Sequence, residues 1–564
     1  MRRLVALALC AMLLSWNLSF SLTARADDDR DRRDDDDSYK GDPAAKYETK
    51  TPIKHVVVIF DENISFDHYF ATYPNATPNL DPTTDYFGKP KDDTPWVNGL
   101  TPTLLSNNPN FLSGGSNPFR LDRSLALTCN NNNGYKKEQQ AFDGGLLDKF
   151  SITSVAAQCA NPMLGGPLPF FTPNLAMGYY DGNTVTALWN YARYYAMSDN
   201  FFDTLFGTTV MGHMNLLSGQ TNGLDLVIGG TYASPTINLP VTLTSSDVAG
   251  TISNNSIIAN VEPFYDDCAT ANPPHNYVRM KGTNVGNLLN AAGVSWGWFY
   301  GDFKATSAPG VFPATCTPLY NSHYDPFDYY PSTANPHHIA PTPLSAVGRD
   351  SCNDFSCANH NYDLQTFYDA LGKGNLPAVT YLKFAETDTG HASDSTPLEE
   401  QTQLVKAINA IEQSPFWQDT AIMITYDDTG GWYDHVAGPI VNFSQDAAND
   451  AITPGSCGKL IVKGMPAVPS PNDRCGFGVR MPFLLISPYA KQNYVDHSLN
   501  DTTSILRFIE YNWSLGTIPD LQSFDKLTSG SILGMLDFDD EHHGHDNREI
   551  FLDQSTGVRI GGGW

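Results

Sequence analysis

Two short apolar segments, far apart in the chain, each end in side chains that carry oxygen. Residues 55–60 run into Glu62 and Asn63, and residues 421–426 run into Asp427 and Asp428. Short runs rich in β-branched residues are typical of strands buried on both faces of a parallel sheet. Functional groups in such sheets gather beyond the carboxyl ends of the strands. If the two strands are neighbours, we expect these four side chains to share one small volume.

Such a group predicts a bound metal ion. Glu62, Asp427 and Asp428 would repel each other strongly at close range unless a cation lay among them. Asn63 would add a neutral oxygen and limit the negative charge that faces a substrate. Oxygen ligands suit Mg, Ca or Mn better than a soft metal, and the sequence does not choose among these three.

Further apolar runs predict an α/β fold with a mainly parallel central sheet. Strands are predicted at 294–300, 378–384 and 481–487. Helical spacing of apolar residues predicts helices at 396–412 and 502–513, each next to a strand. Alternation of this kind places helices on both faces of a sheet, although the strand order does not follow from the sequence.

The chain divides into three parts on composition. Residues 1–26 have a basic start, an apolar stretch and a small-residue cleavage site, which predicts a signal peptide. Residues 27–50 begin with alternating Asp and Arg and are expected to form a solvated, disordered leader. Residues 51–564 are interpreted as one catalytic domain with long loop insertions. The protein is therefore expected to be secreted or periplasmic.

The cysteines agree with an oxidising compartment. Apart from Cys10 in the predicted signal peptide, the chain has an even number of cysteines, which favours disulfides. We expect nearest-neighbour bridges, since each would close a loop rich in Pro, Asn and Gly. The expected pairs are 129 with 159, 268 with 316, 352 with 357, and 457 with 475.

The net charge limits the partners. At −27 the chain would be repelled by nucleic acids and anionic membrane surfaces, which are polyanions. We expect neither a nucleic-acid partner nor stable membrane insertion, and the oligomeric state stays open. A small anionic substrate remains compatible, because a metal and helix dipoles can reverse the potential locally.

A glycine- and hydroxyl-rich segment lies between the two metal-binding strands. Residues 206–219 begin with Gly207, Thr208 and Thr209 and continue with apolar residues at helical intervals. A hydroxyl group there could simply cap a helix. It would also stand where free N–H groups and the helix dipole favour a phosphate. His213, inside this helix, is interpreted as a packing residue.

Four segments together resemble the motifs of a known family. They are 53–70 (IKHVVVIFDENISFDHYF), 197–202 (MSDNFF) with the Gly207 segment, 424–435 (ITYDDTGGWYDH) and 476–490 (GFGVRMPFLLISPYA). Their order and sequence are similar to those of the bacterial phosphoesterase family, which holds secreted acid phosphatases and non-haemolytic phospholipases C.

The resemblance implies a fold and a chemistry. It implies an alkaline-phosphatase-like three-layer α/β sandwich, a metal on Glu62, Asn63, Asp427 and Asp428, and a covalent phospho-enzyme. The nucleophile position matches Thr209, with Thr208 as the competitor. Family histidines near the phosphate match His323 and His391. We expect His391 to protonate the leaving oxygen and His323 to bind the phosphate.

Two positions depart from the family pattern. Asn133 stands where family members often carry a histidine, and Tyr324 replaces the second histidine of a His-His pair. The metal and nucleophile positions are intact, so phosphate-ester hydrolysis is expected, while pH optimum and substrate preference stay open.

The resulting hypothesis is a secreted, metal-dependent phosphoesterase of the acid phosphatase type that works through a phosphothreonine. The alternative is a phospholipase C that cleaves phosphatidylcholine-type lipids. A hypothesis of another class is a calcium-binding adhesion module, which should be all-β.

Overall fold

The predicted buried strands join in one sheet. The computed structural model describes residues 42–77, 93–155, 169–227, 252–253, 255–269, 277–458, 468–469, 474–520, 523–526, 530–539 and 548–563. In these residues the main sheet has nine strands. They are β1 (His55–Asp61), β2 (Ala196–Phe202), β3 (Trp296–Tyr300), β4 (Asn361–Asp363), β5 (Val379–Lys383), β6 (Thr420–Tyr426), β7 (Arg480–Ile486), β8 (Tyr494–Asp496) and β9 (Asn500–Asp501).

The sheet is mainly parallel. Its order is β4-β3-β5-β1-β6-β7-β2-β8, and β9 also pairs with β2. Only β7 runs antiparallel to its neighbours, β6 and β2, among these strands. Every residue of β1, β6 and β7 is buried, so both faces of these strands are covered. The predicted α/β sheet is therefore confirmed, and each predicted strand ends within two residues of its observed limits.

The described chain contains eleven α-helices. They are α1 (Phe66–Phe70), α2 (Pro102–Ser106), α3 (Pro109–Leu112), α4 (Tyr135–Phe142), α5 (Phe150–Thr153), α6 (Thr186–Tyr194), α7 (Thr209–Ser218), α8 (Val285–Ala292), α9 (Leu364–Leu371), α10 (Pro397–Glu412) and α11 (Thr503–Asn512). The predicted helices are confirmed as α10 and α11. A capping box between Thr396 and Glu399, with Pro397 in the first turn, starts α10. An all-β adhesion module is wrong, because it could not contain these helices.

Shorter elements connect the large ones. Short strands outside the main sheet are Phe119–Arg120, Gly178–Tyr179, Leu224–Val227, Ile252–Ser253, Ser256–Ile257, Glu262–Pro263, Tyr277–Met280, Asn442–Phe443, Val468–Pro469, Phe551–Leu552 and Arg559–Gly561. Short 3-10 helices are Arg123–Leu125, Asp143–Gly145, Leu175–Met177, Ser322–Tyr324, Pro326–Tyr329, Leu344–Ala346, Glu386–Asp388, Trp417–Asp419, Phe524–Lys526 and Ile532–Met535.

Three of the predicted disulfides are present. They join Cys268 to Cys316, Cys352 to Cys357, and Cys457 to Cys475. The fourth predicted pair includes position 159, which lies outside the described residues, as do the predicted signal peptide and most of the acidic leader. A search of the described helices for one that is both long and apolar enough to cross a bilayer finds none.

A glycine lets α7 approach the carboxyl end of β6. A Cβ atom on Gly212 would lie 1.9 Å from the carbonyl oxygen of Asp427, far inside van der Waals contact. The obstacle is backbone rather than a flexible side chain, so it cannot turn aside. The absence of a side chain at this position thus fixes how closely the helix packs against the strand.

We expect Gly212→Ala to lower the free energy of unfolding by about 1–3 kcal/mol, because an overpacked methyl group must push α7 away from β6. Urea unfolding measures this. Gly534→Ala is the control, since a Cβ there has its nearest contact at 3.9 Å, with Asp496. Equal stability of the two variants would contradict the close approach as a constraint.

Candidate active site

The pairing of β1 with β6 creates the site. The two strands are parallel, and Asp61 lies opposite Tyr426, so the residues that follow leave the sheet side by side. The backbone N–H of Asn63 donates to Asp427 Oδ1 at 2.9 Å. Glu62, Asn63, Asp427 and Asp428 are all buried, with at most 1% of their surface exposed. The structure therefore brings together the four residues that the sequence nominated as metal ligands.

A potential metal-binding group forms within this volume. Glu62, Asp427 and His213 each offer a donor atom, and these atoms lie within 4.8 Å of one another. Asp427 Oδ2 and His213 Nε2 are buried without a hydrogen-bond partner. His213 Nδ1 contacts the carbonyl oxygen of Thr209 at 2.8 Å, so it carries the proton and the lone pair of Nε2 faces the carboxylates. These donors fit a divalent cation.

His213 was missed as a site residue. It does pack, with its ring edge-on to Phe60 at 5.0 Å, as interpreted from the sequence. Burial lowers its pKa to about 3, which keeps the imidazole neutral, the form that binds metals. The available signal was its spacing, one helical turn after Thr209 on α7.

Asp428 faces a different set of partners. Its Oδ1 accepts from Asn133 Nδ2 at 2.9 Å and from the Gly430 N–H at 2.6 Å. The orientation of the Asn63 amide follows from its hydrogen-bond partners. Its nitrogen donates to the two oxygens of Asp428 at 2.7 and 3.1 Å, and its oxygen accepts from His391 Nε2 at 2.6 Å. Among the described residues, the potential metal-binding group consists of Glu62, Asp427 and His213, and Asp428 is not part of it.

The threonine segment opens α7 beside these carboxylates. Thr209 is the first residue of the helix, and its Oγ1 lies 3.4 Å from Glu62 Oε2. Thr208 is the N-cap, but its side chain makes no capping hydrogen bond, and its buried Oγ1 has no partner. Ordinary capping therefore explains neither hydroxyl group.

The two predicted histidines flank the site. His391 Nδ1 lies 2.7 Å from Asp394 Oδ2. Burial alone would lower the pKa of His391, but Asp394, together with Glu62 and Glu386, more than offsets burial and raises it to about 9. His323 Nδ1 lies 3.6 Å from Glu262 Oε1. Both imidazoles lie near Glu386: burial raises the pKa of that carboxyl group, and the two histidines partly oppose the rise.

A buried lysine opposes the negative charge. Burial, together with the Asp427 carboxylate, raises the pKa of Glu62 well above its usual value. Burial would also raise the pKa of Asp427, but the charge of Lys383 holds it below the usual value. Lys383, the last residue of β5, donates to Glu62 Oε1 and lies 4.4 Å from the ring centroid of Tyr324. Sequence reasoning missed this residue, whose signal was a charge inside an apolar strand.

A second missed residue ties the loops of the site together. Glu138, on α4, accepts from the Gly207 N–H at 2.9 Å and from Thr429 Oγ1 at 2.6 Å. It thereby joins the segment before Thr209 to the loop after Asp428. Asn133 and Tyr324, the two departures from the family pattern, also lie at the site, where they contact Asp428 and Lys383.

Comparison with known proteins identifies the family of this chain. Residues 53–516 match the Phosphoesterase family. The chain is 23% identical over 501 residues to Phospholipase C B of Mycobacterium tuberculosis, covering 86% of this chain and 78% of that protein. It is 21% identical over 490 residues to Non-hemolytic phospholipase C of Pseudomonas aeruginosa, covering 86% and 57%. A solved protein of the alkaline phosphatase superfamily from Vibrio parahaemolyticus has a TM-score of 0.25 at 11% identity, covering 75% and 79%.

The family match defines a hydrolase that acts on phosphoric ester bonds, built on an α/β fold with a mainly parallel central sheet. The chain belongs to the Phosphoesterase family, and the resemblance drawn from its four motifs is confirmed.

We expect Lys383→Met to lower the free energy of unfolding by about 3–5 kcal/mol in the presence of a chelator, because Glu62 would be left as an unpaired buried charge. Lys406→Met is a matched control. Lys406 also lies over a tyrosine ring, Tyr368 at 4.3 Å, but is exposed, and its loss should cost under about 1 kcal/mol. Denaturant unfolding of both variants measures the difference, and equal losses would refute the role assigned to the buried pair.

Proposed function

We propose that this chain is a metal-dependent phosphoesterase in which Thr209 attacks phosphorus and forms a phosphothreonine. The observation that carries the proposal is the contact between Thr209 Oγ1 and Glu62 at the start of α7. The helix dipole and the first-turn N–H groups favour both an anionic substrate and a deprotonated hydroxyl group at this position. Thr208 remains the competing nucleophile.

The metal would be held by Glu62, Asn63, Asp427 and Asp428, with the Nε2 atom of His213 as a further donor. The buried, unpartnered atoms of Asp427 and His213 support this assignment. When bound, a divalent ion of the Mg, Ca or Mn class would supply charge that lowers the pKa of the attacking hydroxyl group and polarises the phosphoryl group.

The histidines would handle the proton and the phosphate. As Thr209 Oγ bonds to phosphorus, its hydroxyl proton would pass to Glu62 Oε2, the acceptor at 3.4 Å. The bond from phosphorus to the leaving oxygen breaks, and His391 gives that oxygen a proton. His323 would bind the phosphoryl oxygens. A water molecule then attacks the phosphothreonine and gives a proton to His391, while Glu62 returns its proton to Thr209 as inorganic phosphate leaves.

We also infer that the protein works outside the cytoplasm, in the periplasm or the medium. Three disulfides in the described residues support this location, because such bonds persist in oxidising compartments.

Thr209→Ala should abolish the burst of product that accompanies formation of the phospho-enzyme, whereas Thr208→Ala should keep it. The measurement is rapid-quench release of nitrophenol from p-nitrophenyl phosphate, with and without a chelator. We expect chelation to stop turnover and Mg²⁺, Mn²⁺ or Ca²⁺ to restore it. A burst that survives in Thr209→Ala but not in Thr208→Ala would move the nucleophile, and full activity without metal would exclude the metal mechanism.

The substrate class has two candidates. The first is a soluble phosphomonoester, as in acid phosphatases. The second is a phosphatidylcholine-type lipid, which the names of the relatives favour. An apolar surface also favours it. This surface consists of Phe111, Leu112, Leu146 and Ile152, which are 49–69% exposed.

Hydrogen bonds connect this apolar surface to the site. Asn110, on α3, donates from Nδ2 to the carbonyl oxygen of Leu147 at 2.8 Å, and its Oδ1 accepts from the N–H of Ser151 at 3.2 Å. The segment that carries Phe111 and Leu112 is therefore next to the segment that carries Leu146 and Ile152. Asn108 Nδ2 donates to the hydroxyl of Tyr433 at 3.0 Å, in the loop that follows Asp428. A bilayer that contacted the apolar surface would therefore lie close to this loop.

If the substrate is a lipid, Leu112→Ser with Leu146→Ser should lower hydrolysis of phosphatidylcholine vesicles at least about tenfold, because less apolar surface would enter the bilayer. Hydrolysis of p-nitrophenyl phosphate should not change. Ile560→Ser is the control, since this residue is 68% exposed on another segment. Phosphomonoester activity without any vesicle hydrolysis by the unaltered protein would instead support the phosphatase.

A further inference from the structure

A second group of buried acids lies outside the proposed catalytic residues. It is formed by Asp266, Asp325, Asp328 and His338, and we call it the Asp266 cluster. Asp325 and Asp328 are fully buried, Asp266 is 2% exposed and His338 is 6% exposed. The imidazole of His338 contacts Asp266 within this cluster.

Two carboxylate oxygens of this cluster lack partners in the described structure. Asp325 Oδ1 accepts from the Phe327 N–H at 3.0 Å, and Asp328 Oδ1 accepts from the Asn335 N–H at 2.7 Å. The second oxygen of each carboxylate is buried and has no hydrogen bond. Buried carboxylate oxygens of this kind are costly unless a proton or a cation satisfies them.

The imidazole of His338 has the geometry of a metal ligand. Its Nδ1 contacts the carbonyl oxygen of Phe303 at 2.5 Å, which is the usual arrangement behind a ligating histidine. Its Nε2 lies 3.0 Å from Asp266 Oδ1. This separation is that of a hydrogen bond, and it is also the distance of about 3.0 Å between two donors held at about 2.1 Å from one ion and at right angles, as in octahedral coordination. Donor atoms of Asp266, Asp328 and His338 all lie within 4.8 Å of one another.

We propose that Asp266, Asp328 and His338 bind a second divalent cation, with Asp325 as the adjacent carboxylate. Imidazole and carboxylate donors at this spacing suit a first-row ion such as Zn²⁺ or Mn²⁺ better than Ca²⁺, whose bonds are longer. The Cys268–Cys316 disulfide also approaches His338, but its sulfurs are not thiolates and are not counted as ligands.

The ion would join segments that are distant in sequence. Asp266 precedes the disulfide at Cys268, whose N–H donates to Asp266 Oδ1 at 2.7 Å. Asp325 and Asp328 belong to the turns that follow His323. The cation would therefore hold the segment that carries His323 and would have a structural role distinct from the chemistry at Glu62.

The test counts ions in the full chain after metal removal and dialysis against Zn²⁺ or Mn²⁺. Asp427→Ala removes a ligand of the proposed catalytic metal and isolates the second site. We expect this variant to keep one ion per chain by elemental mass spectrometry, and X-ray absorption at the zinc edge to show an imidazole ligand. Adding Asp328→Asn or His338→Gln to Asp427→Ala should remove that ion and lower the melting temperature only in metal-containing buffer.

Asp501→Asn is the control, because Asp501 is equally buried but accepts hydrogen bonds from Thr204 at 2.6 Å and Thr503 at 2.9 Å. It should leave the ion count unchanged. Three outcomes would overturn the proposal and leave the acids satisfied by protons. The first is that Asp427→Ala holds no ion, and the second is that the zinc spectrum shows no imidazole ligand. The third is that the ion survives both cluster substitutions. Failure of the catalytic metal alone would look different: the unaltered protein and Asp427→Ala would hold the same single ion.

Discussion

The parallel register between β1 and β6 is the constraint on which the site depends. It leaves Glu62 beside Asp427 with almost no solvent to screen them, so their repulsion must be met within the protein. Lys383 offsets part of this repulsion by donating to Glu62 from β5, which pairs with β1 on the side away from β6. The unpartnered atoms of Asp427 and His213 show that hydrogen bonds within the described structure leave this pocket incompletely satisfied. A cation bound here, as proposed, would relieve this repulsion and would thereby couple stability to ion affinity.

The close approach of α7 places a hydroxyl group and an imidazole beside these carboxylates. With only a hydrogen on Gly212, the helix can lie against the backbone of Asp427. That contact sets the first residue of the helix, Thr209, beside Glu62 and places His213, one turn later, against the same carboxylates. One small residue therefore positions a hydroxyl group and an imidazole together, and Glu138 restrains the loop from which the helix starts.

The sequence predicted those features that depend on local patterns. Apolar runs located the strands, helical spacing and a capping signal located α10, and proximity along the chain gave three disulfides. Glu62 and Asp427 could be paired because both directly follow buried strands. Lys383 could not be assigned, because its role requires β5 to be the neighbour of β1, and strand order does not follow from periodicity. Glu138 was missed for the same reason, since both of its partners are distant in sequence.

The Asp266 cluster and the proposed catalytic residues are joined by one short segment of the chain. His323 precedes Asp325 and Asp328 by only a few residues, while Tyr324, between them, lies against Lys383. A displacement of these turns would move His323 and the ring beside Lys383 together. In the proposed mechanism, His323 and His391 serve the phosphate, because Asn133 and Tyr324 stand in place of two histidines typical of the family. If His323 binds the phosphate as proposed, the stability of these turns would bear directly on turnover.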